Sequence, residues 1–225
     1  MDRGLGPRLR WVVSGDAAAI AGAVCAVLLW GSVLLLTTQP DAGASDEELT
    51  RWFADAGNRR LVLAGLQTTT FGGIAFLWFL AVIRRRLGDR EDQFFATVFL
   101  GSGLLFLTLT IASAVAAAAP ALMVSYGGRE AADPSTFALA RGLWFGLFVV
   151  GASRFGAVFM VVTSTLGLRF GVLPRWLSIV GYAASVVLFV TGAFSGPLAF
   201  LFPVWMAVVS LTLFVSRRRG GPTDS

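Results

Sequence analysis

Six stretches of this chain run for close to twenty residues or more with few charged side chains, and nothing else in the sequence restricts its folding as strongly. A hydrocarbon layer about 30 Å thick is crossed by roughly 20 apolar residues rising about 1.5 Å each. The stretches at 17–38, 60–83, 94–118, 138–168, 177–195 and 198–216 meet or approach that length. Inside such a layer a backbone must satisfy its own hydrogen bonds, so each span is expected to be helical. Only Ser195, Gly196 and Pro197 separate the last two stretches. As one helix, residues 177–216 would extend about 60 Å, twice the layer, so a tight hairpin is expected instead. With 56% hydrophobic and 14% charged residues among 225, the composition is that of a membrane protein. The expected fold is all-α and polytopic, with six transmembrane helices in a single domain over residues 17–216. Residues 1–16 and 217–225 form short flanking segments, and there is no convincing internal repeat or separate soluble domain. Arg3, Arg8 and Arg10 before the first run imitate a secretory signal. Ala17 to Leu36 is longer than the apolar region of such a signal, about 7 to 15 residues, so it reads as a retained helix.

Charge placement orients the bundle. All 18 basic residues are arginine, and the net charge of +5 is concentrated beside apolar spans, which favours anionic lipid head groups over nucleic acid as the partner. Twelve arginines fall on the side of the chain termini and five on the other, so both termini are expected to be cytoplasmic. Trp11, Trp78 and Trp176 fall near the expected inner boundary and Trp144 near the outer one, as suits rings at head-group depth.

The first outer loop carries its own pattern. Ser45 followed by Glu48 has capping-box spacing, and Leu49, Trp52, Phe53 and Ala56 recur at helical spacing opposite Asp46, Glu47 and Asp55. A short amphipathic helix is expected there, either covering helix ends or offering Trp52 and Phe53 to a protein partner. The second outer loop contains Gly127 and Gly128, and then Asp133 with Pro134, which fits the N-cap and first turn of the next helix.

Most site chemistry lacks its side chains. Histidine is absent, so Ser-His-Asp and Cys-His sites are impossible, and the one cysteine, Cys25, lies inside the first apolar run. No lysine exists to complete a phosphate-binding loop around Gly101-Ser102-Gly103. All thirteen acidic residues lie in loops, tails or helix ends, which removes the buried carboxylate of a proton relay. Asp89, Glu91 and Asp92 could hold a metal for lipid chemistry, but beside Arg84, Arg85, Arg86 and Arg90 they read more simply as a salt-bridged loop. No cofactor or metal site is expected.

Small residues four apart, such as Ala18, Gly22 and Ala26, Ala64, Thr68 and Gly72, Gly142 and Gly146, or Ala152 and Gly156, favour close helix packing, within the bundle or along the seam of a homo-oligomer. Arg154 is the exception to the apolar pattern. It stands thirteen residues after Arg141 and fifteen before Arg169, about 20 Å and 22 Å along a helix, hence near mid-span. From there its side chain cannot reach an interface about 15 Å away, so it is expected to face the bundle interior or a wet cavity. With no carboxylate at its depth, its donors would need neutral acceptors, water or a bound anion. Depth nominates Thr69, Thr70, Thr108, Ser185 and Ser210, with Gln67 and Thr68 beside them. Arg154 then either clamps helices together or attracts a solute.

Three stretches, "FLWFLAVIRRRL" at 76–87, "RGLWFGLFVVG" at 141–151 and "GVLPRWLSIVGYAASVVLFVTG" at 171–192, resemble a family of multi-pass integral membrane proteins common in actinobacteria. The resemblance runs from about Ser45 to Val215 and implies a membrane location but no activity, substrate or cofactor. Two functional expectations follow: a non-enzymatic membrane protein that binds lipid or a protein partner, and a small transporter or channel drawing a polar or anionic solute to Arg154.

Overall fold

The computed structural model describes residues 15–41, 43–87, 93–128, 134–171, 173–191 and 200–219. These contain helices and turns and no strand. In chain order the helices are α1 (Gly15–Leu36), α2 (Asp46–Ala54), α3 (Ala56–Leu87), α4 (Gln93–Tyr126), α5 (Pro134–Trp144), a π-helical segment (Phe145–Ala152), α6 (Ser153–Arg169), α7 (Arg175–Thr191) and α8 (Leu201–Arg219). The π segment joins α5 and α6 into one helical rod. Four segments are long and apolar enough to cross a membrane: Ala19–Leu36, Ala56–Arg84, Gln93–Tyr126 and Pro134–Arg169. The expected fifth and sixth spans are present as shorter apolar helices, Arg175–Val190 and Leu201–Val215. The expected break at Ser195-Gly196-Pro197, the Asp133 cap, the Asp89, Glu91 and Asp92 loop, and the placement of Trp11 lie outside the described residues.

Several boundaries differ from the sequence reading, each for a local reason. The third helix begins at Ala56 rather than 60, because Asp55 ends α2 and accepts the Asn58 amide at 2.9 Å, capping α3 at once. Ala56 therefore starts α3 instead of completing the apolar face of α2. Helix α4 continues past the expected end at 118 to Tyr126 with Pro120 buried inside it. Proline removes one amide donor, but packing of Ala117, Ala118 and Ala121 around it carries the helix on. Gly128, at φ +67°, then follows the end of α4.

The α6–α7 turn shows how tightly the chain can reverse. Gly171 takes φ +66°, the Leu173 amide donates back to Gly167 O at 3.3 Å, and Leu173 packs over Gly167, where any Cβ would collide with it. Pro174 O then accepts the Leu177 and Ser178 amides and opens α7.

Helix α1 packs between α3 and α8, and α4 bridges α3 to the α5–π–α6 rod. Gly22 lets α1 meet Phe79 of α3 and Ser210 of α8; Gly72 meets Leu28 and Leu29; Gly156 meets Phe106 and Phe202. Those small residues serve internal packing, whereas Gly142 and Gly146 have open space around them. At the centre Phe76, Phe106, Phe159 and Phe202, one each from α3, α4, α6 and α8, bring ring centroids within 4.1–6.1 Å of one another. Large apolar side chains such as Val27, Phe71, Leu139, Ile179 and Val190 face outward, the surface a lipid-facing bundle presents.

Candidate binding cavity

The π segment sets the site. Each π turn pairs a carbonyl with the amide five residues on, whereas α turns use four, so returning to α pitch at Ser153 leaves a carbonyl short of a backbone donor. Two side chains bond to carbonyls at this switch. Ser153 Oγ donates to Val149 O and Arg154 Nη1 to Val150 O, each at 2.5 Å. Arg154 is thus half-buried on its own helix and bonded to it. It does not face the bundle interior as its position in the sequence suggests. On the same face Val158 and Val161 follow, lining a shallow apolar groove against Ser185 to Val190 of α7.

A cavity of about 60 Å³, partly open to the surroundings, lies where α1, α3, α4, α7 and α8 face the rod. Its wall is mostly apolar. Ser32, Thr69, Thr110 and Ser113 of α1, α3 and α4 stand among Leu29, Val33, Leu36 and Ala114 of α1 and α4, and the π segment, its flank and α7 add Trp144, Phe148, Val149 and Leu188, with Ser153 beside them. Phe106 and Phe202, centroids 4.1 Å apart, join the wall to the aromatic core. Exposed Thr37, just past the end of α1, marks the rim. Nearby, Arg141 Nη1 donates to Pro40 O at 2.9 Å, tying the α1–α2 connection to α5.

Of the sequence-nominated residues, Thr69 alone reaches this cavity. It is buried, with Ser32 Oγ at 2.5 Å from its Oγ1. Thr68 and Thr70 donate to Ala64 O and Leu66 O on their own helix, and Gln67, Thr70 and Thr108 are exposed on outward faces. Ser210 packs against Gly22. The partner surface expected at Trp52 and Phe53 is also corrected: Phe53 is fully buried among Leu49, Val62, Ala118, Ala121 and Phe137, and half-buried Trp52 lies edge-on against it. Helix α2 covers the ends of α3, α4 and α5. Its Ser45 cap is as read, with the Glu48 amide donating to Ser45 Oγ at 3.3 Å, and Arg59 Nη1 seals its far end by donating to Phe53 O and Ala54 O.

Sequence reasoning missed Ser32, Thr110, Ser113, Ser153, Trp144 and Phe148. Thr110 and Ser113 stand three apart on α4, a usable sign of a shared face, but the π turns shift Trp144, Phe148 and Ser153 off the 100° periodicity that would have placed them. No family model, curated protein or solved structure matches the chain.

Proposed function

We propose that this chain is a six-span membrane protein with both termini cytoplasmic, and that it binds a small lipidic molecule in the cavity without catalysing a reaction on it. The carrying observation is the small cavity itself, mostly apolar and lined in part by the Phe106–Phe202 pair. Its small volume favours a single-chain molecule over a two-chain phospholipid. The resemblance to actinobacterial membrane proteins accords with this reading and adds no activity to it. A solute path through Arg154 has less support, because that guanidinium bonds to its own helix and is absent from the cavity wall.

Photolabelling tests the reading. With the protein in lipid nanodiscs, a diazirine-bearing single-chain alkane should label peptides containing Thr110 to Ala114 and Trp144 to Val149, and excess unlabelled alkane should suppress that label. Label confined to outward residues such as Phe71 and Leu139, with no competition, would exclude the cavity as a site. Orientation is tested separately in a Cys25→Ala background. An impermeant maleimide added to intact cells should modify Asp46→Cys and spare Arg84→Cys; the reverse pattern inverts the topology.

A further inference from the structure

The hydroxyls on the cavity wall share a property that narrows the ligand class, an inference that rests on the cavity being a binding site. Each has already committed its proton. Thr110 Oγ1 donates to Phe106 O at 2.7 Å, Ser113 Oγ to Thr110 O at 2.7 Å, Ser153 Oγ to Val149 O, and Thr37 Oγ1 to Val33 O at 2.8 Å. Thr69 Oγ1 donates to Gly65 O at 2.9 Å, so in the short Ser32–Thr69 contact the proton comes from Ser32. A hydroxyl has one proton and two acceptor lone pairs. With all six protons spent on carbonyls or on a neighbouring hydroxyl, these oxygens can offer a ligand only lone pairs.

We infer that the cavity selects a single-chain lipidic molecule whose polar end carries a hydrogen-bond donor, an alcohol or an amine, and discriminates against carboxylates, esters and ethers of the same length. A donor head finds ready acceptors at Ser32, Thr69, Thr110 and Ser113, all at most 5% exposed. A carboxylate or ether oxygen meets lone pairs facing lone pairs. To bind, it must break a hydroxyl's bond to its helix or leave its own acceptor unsatisfied in an apolar enclosure. The four hydroxyls draw the head toward α1, α3 and α4, and the chain lies along the apolar remainder of the wall.

The experiment is a competition on the unmodified full chain in nanodiscs. A dodecanol bearing a diazirine on its chain is the label; dodecanol, dodecylamine, dodecyl methyl ether and, at a pH that keeps the acid ionised, dodecanoate compete. Dodecanol and dodecylamine should suppress label at Thr110 to Ala114 at concentrations about tenfold or more below those needed for the ether or carboxylate, the ratio expected for one unsatisfied buried group. Equal competition by all four would leave the cavity as a site and overturn the donor rule. Preference for the carboxylate would overturn it as well. Absence of any competable label would remove the cavity reading and this inference with it. Thr110→Val, which keeps the shape and drops one acceptor, should narrow the gap between dodecanol and its ether by weakening dodecanol and relieving the ether; an unaltered gap counts against the assignment.

Discussion

Ser153 and Arg154 are adjacent side chains with parallel tasks: both donate to carbonyls where the π segment returns to α pitch. Their energetics differ. A serine hydroxyl bond to a backbone carbonyl contributes about 1 kcal/mol net, and its loss at this switch leaves the Val149 carbonyl without that donor. A guanidinium within an apolar helix carries a cost of about 2.5–3.5 kcal/mol on insertion scales, which one bond to its own helix does not offset. Ser153→Ala should therefore lower the melting temperature in detergent by about 2–4 °C, and Arg154→Met should leave it unchanged or raise it. Thermal aggregation followed by size-exclusion chromatography distinguishes the two. A larger fall for Arg154→Met than for Ser153→Ala would mean the guanidinium stabilises something beyond its own turn. The sequence made Arg154 conspicuous because charge in an apolar run is costly. It could not show the direction of the side chain, because depth and reach say nothing of a bond back to the carbonyl that the π segment leaves at Val150.

Close contact between helices depends on individual glycines, and the α6–α7 hairpin shows it most plainly. A Cβ at Gly181 would overlap Ser164 Oγ and lie 3.0 Å from Trp205 Nε1, and Ser164 and Trp205 are both buried. Ser164 Oγ is buried against this position and makes no hydrogen bond among the described residues. Gly181→Ala should cost about 1–3 kcal/mol as the helices are forced apart. Adding Ser164→Ala should restore part of that loss, since the Ser164 Cβ stands at an ordinary 3.4 Å from the new methyl. Melting temperatures of the two single variants and the double variant give the coupling directly; simple additivity would show that the close approach is not the cause. Small-residue spacing in the sequence revealed Gly22, Gly72 and Gly156 as packing positions. Gly181 escaped it because its partner is the side chain of Ser164 on another helix, which no periodicity within α7 encodes. Helix α2 was legible for the opposite reason. Its cap, apolar face and charged face all lie within nine residues, though the sequence left open whether Phe53 faced the bundle or a partner.

At the level of the whole bundle, apolar length identified all the main helices, because crossing a hydrocarbon layer is a one-dimensional requirement. A cavity is three-dimensional. It arises where six elements fail to meet, and a threonine facing in is indistinguishable in sequence from one facing out, as Thr69 and Thr70 show. The bundle therefore divides into two regimes: a Phe-packed centre that holds it together and a small space beside the π segment that it leaves unfilled. Retaining that space has a consequence for stability. Ala114, 1% exposed, borders the cavity, and enlarging it would add apolar contacts where there are none. If the space exists to hold a ligand, filling it should stabilise the empty protein at the expense of binding, the usual trade-off at functional sites. Ala114→Leu should raise the melting temperature by about 2–4 °C, corresponding to about 1 kcal/mol for a chain of this size. The same variant should lose competable photolabel at Trp144 to Val149. A lower melting temperature with label retained would mean the leucine had been accommodated outside the cavity by displacing α4, so that the space is not one the packed bundle can fill.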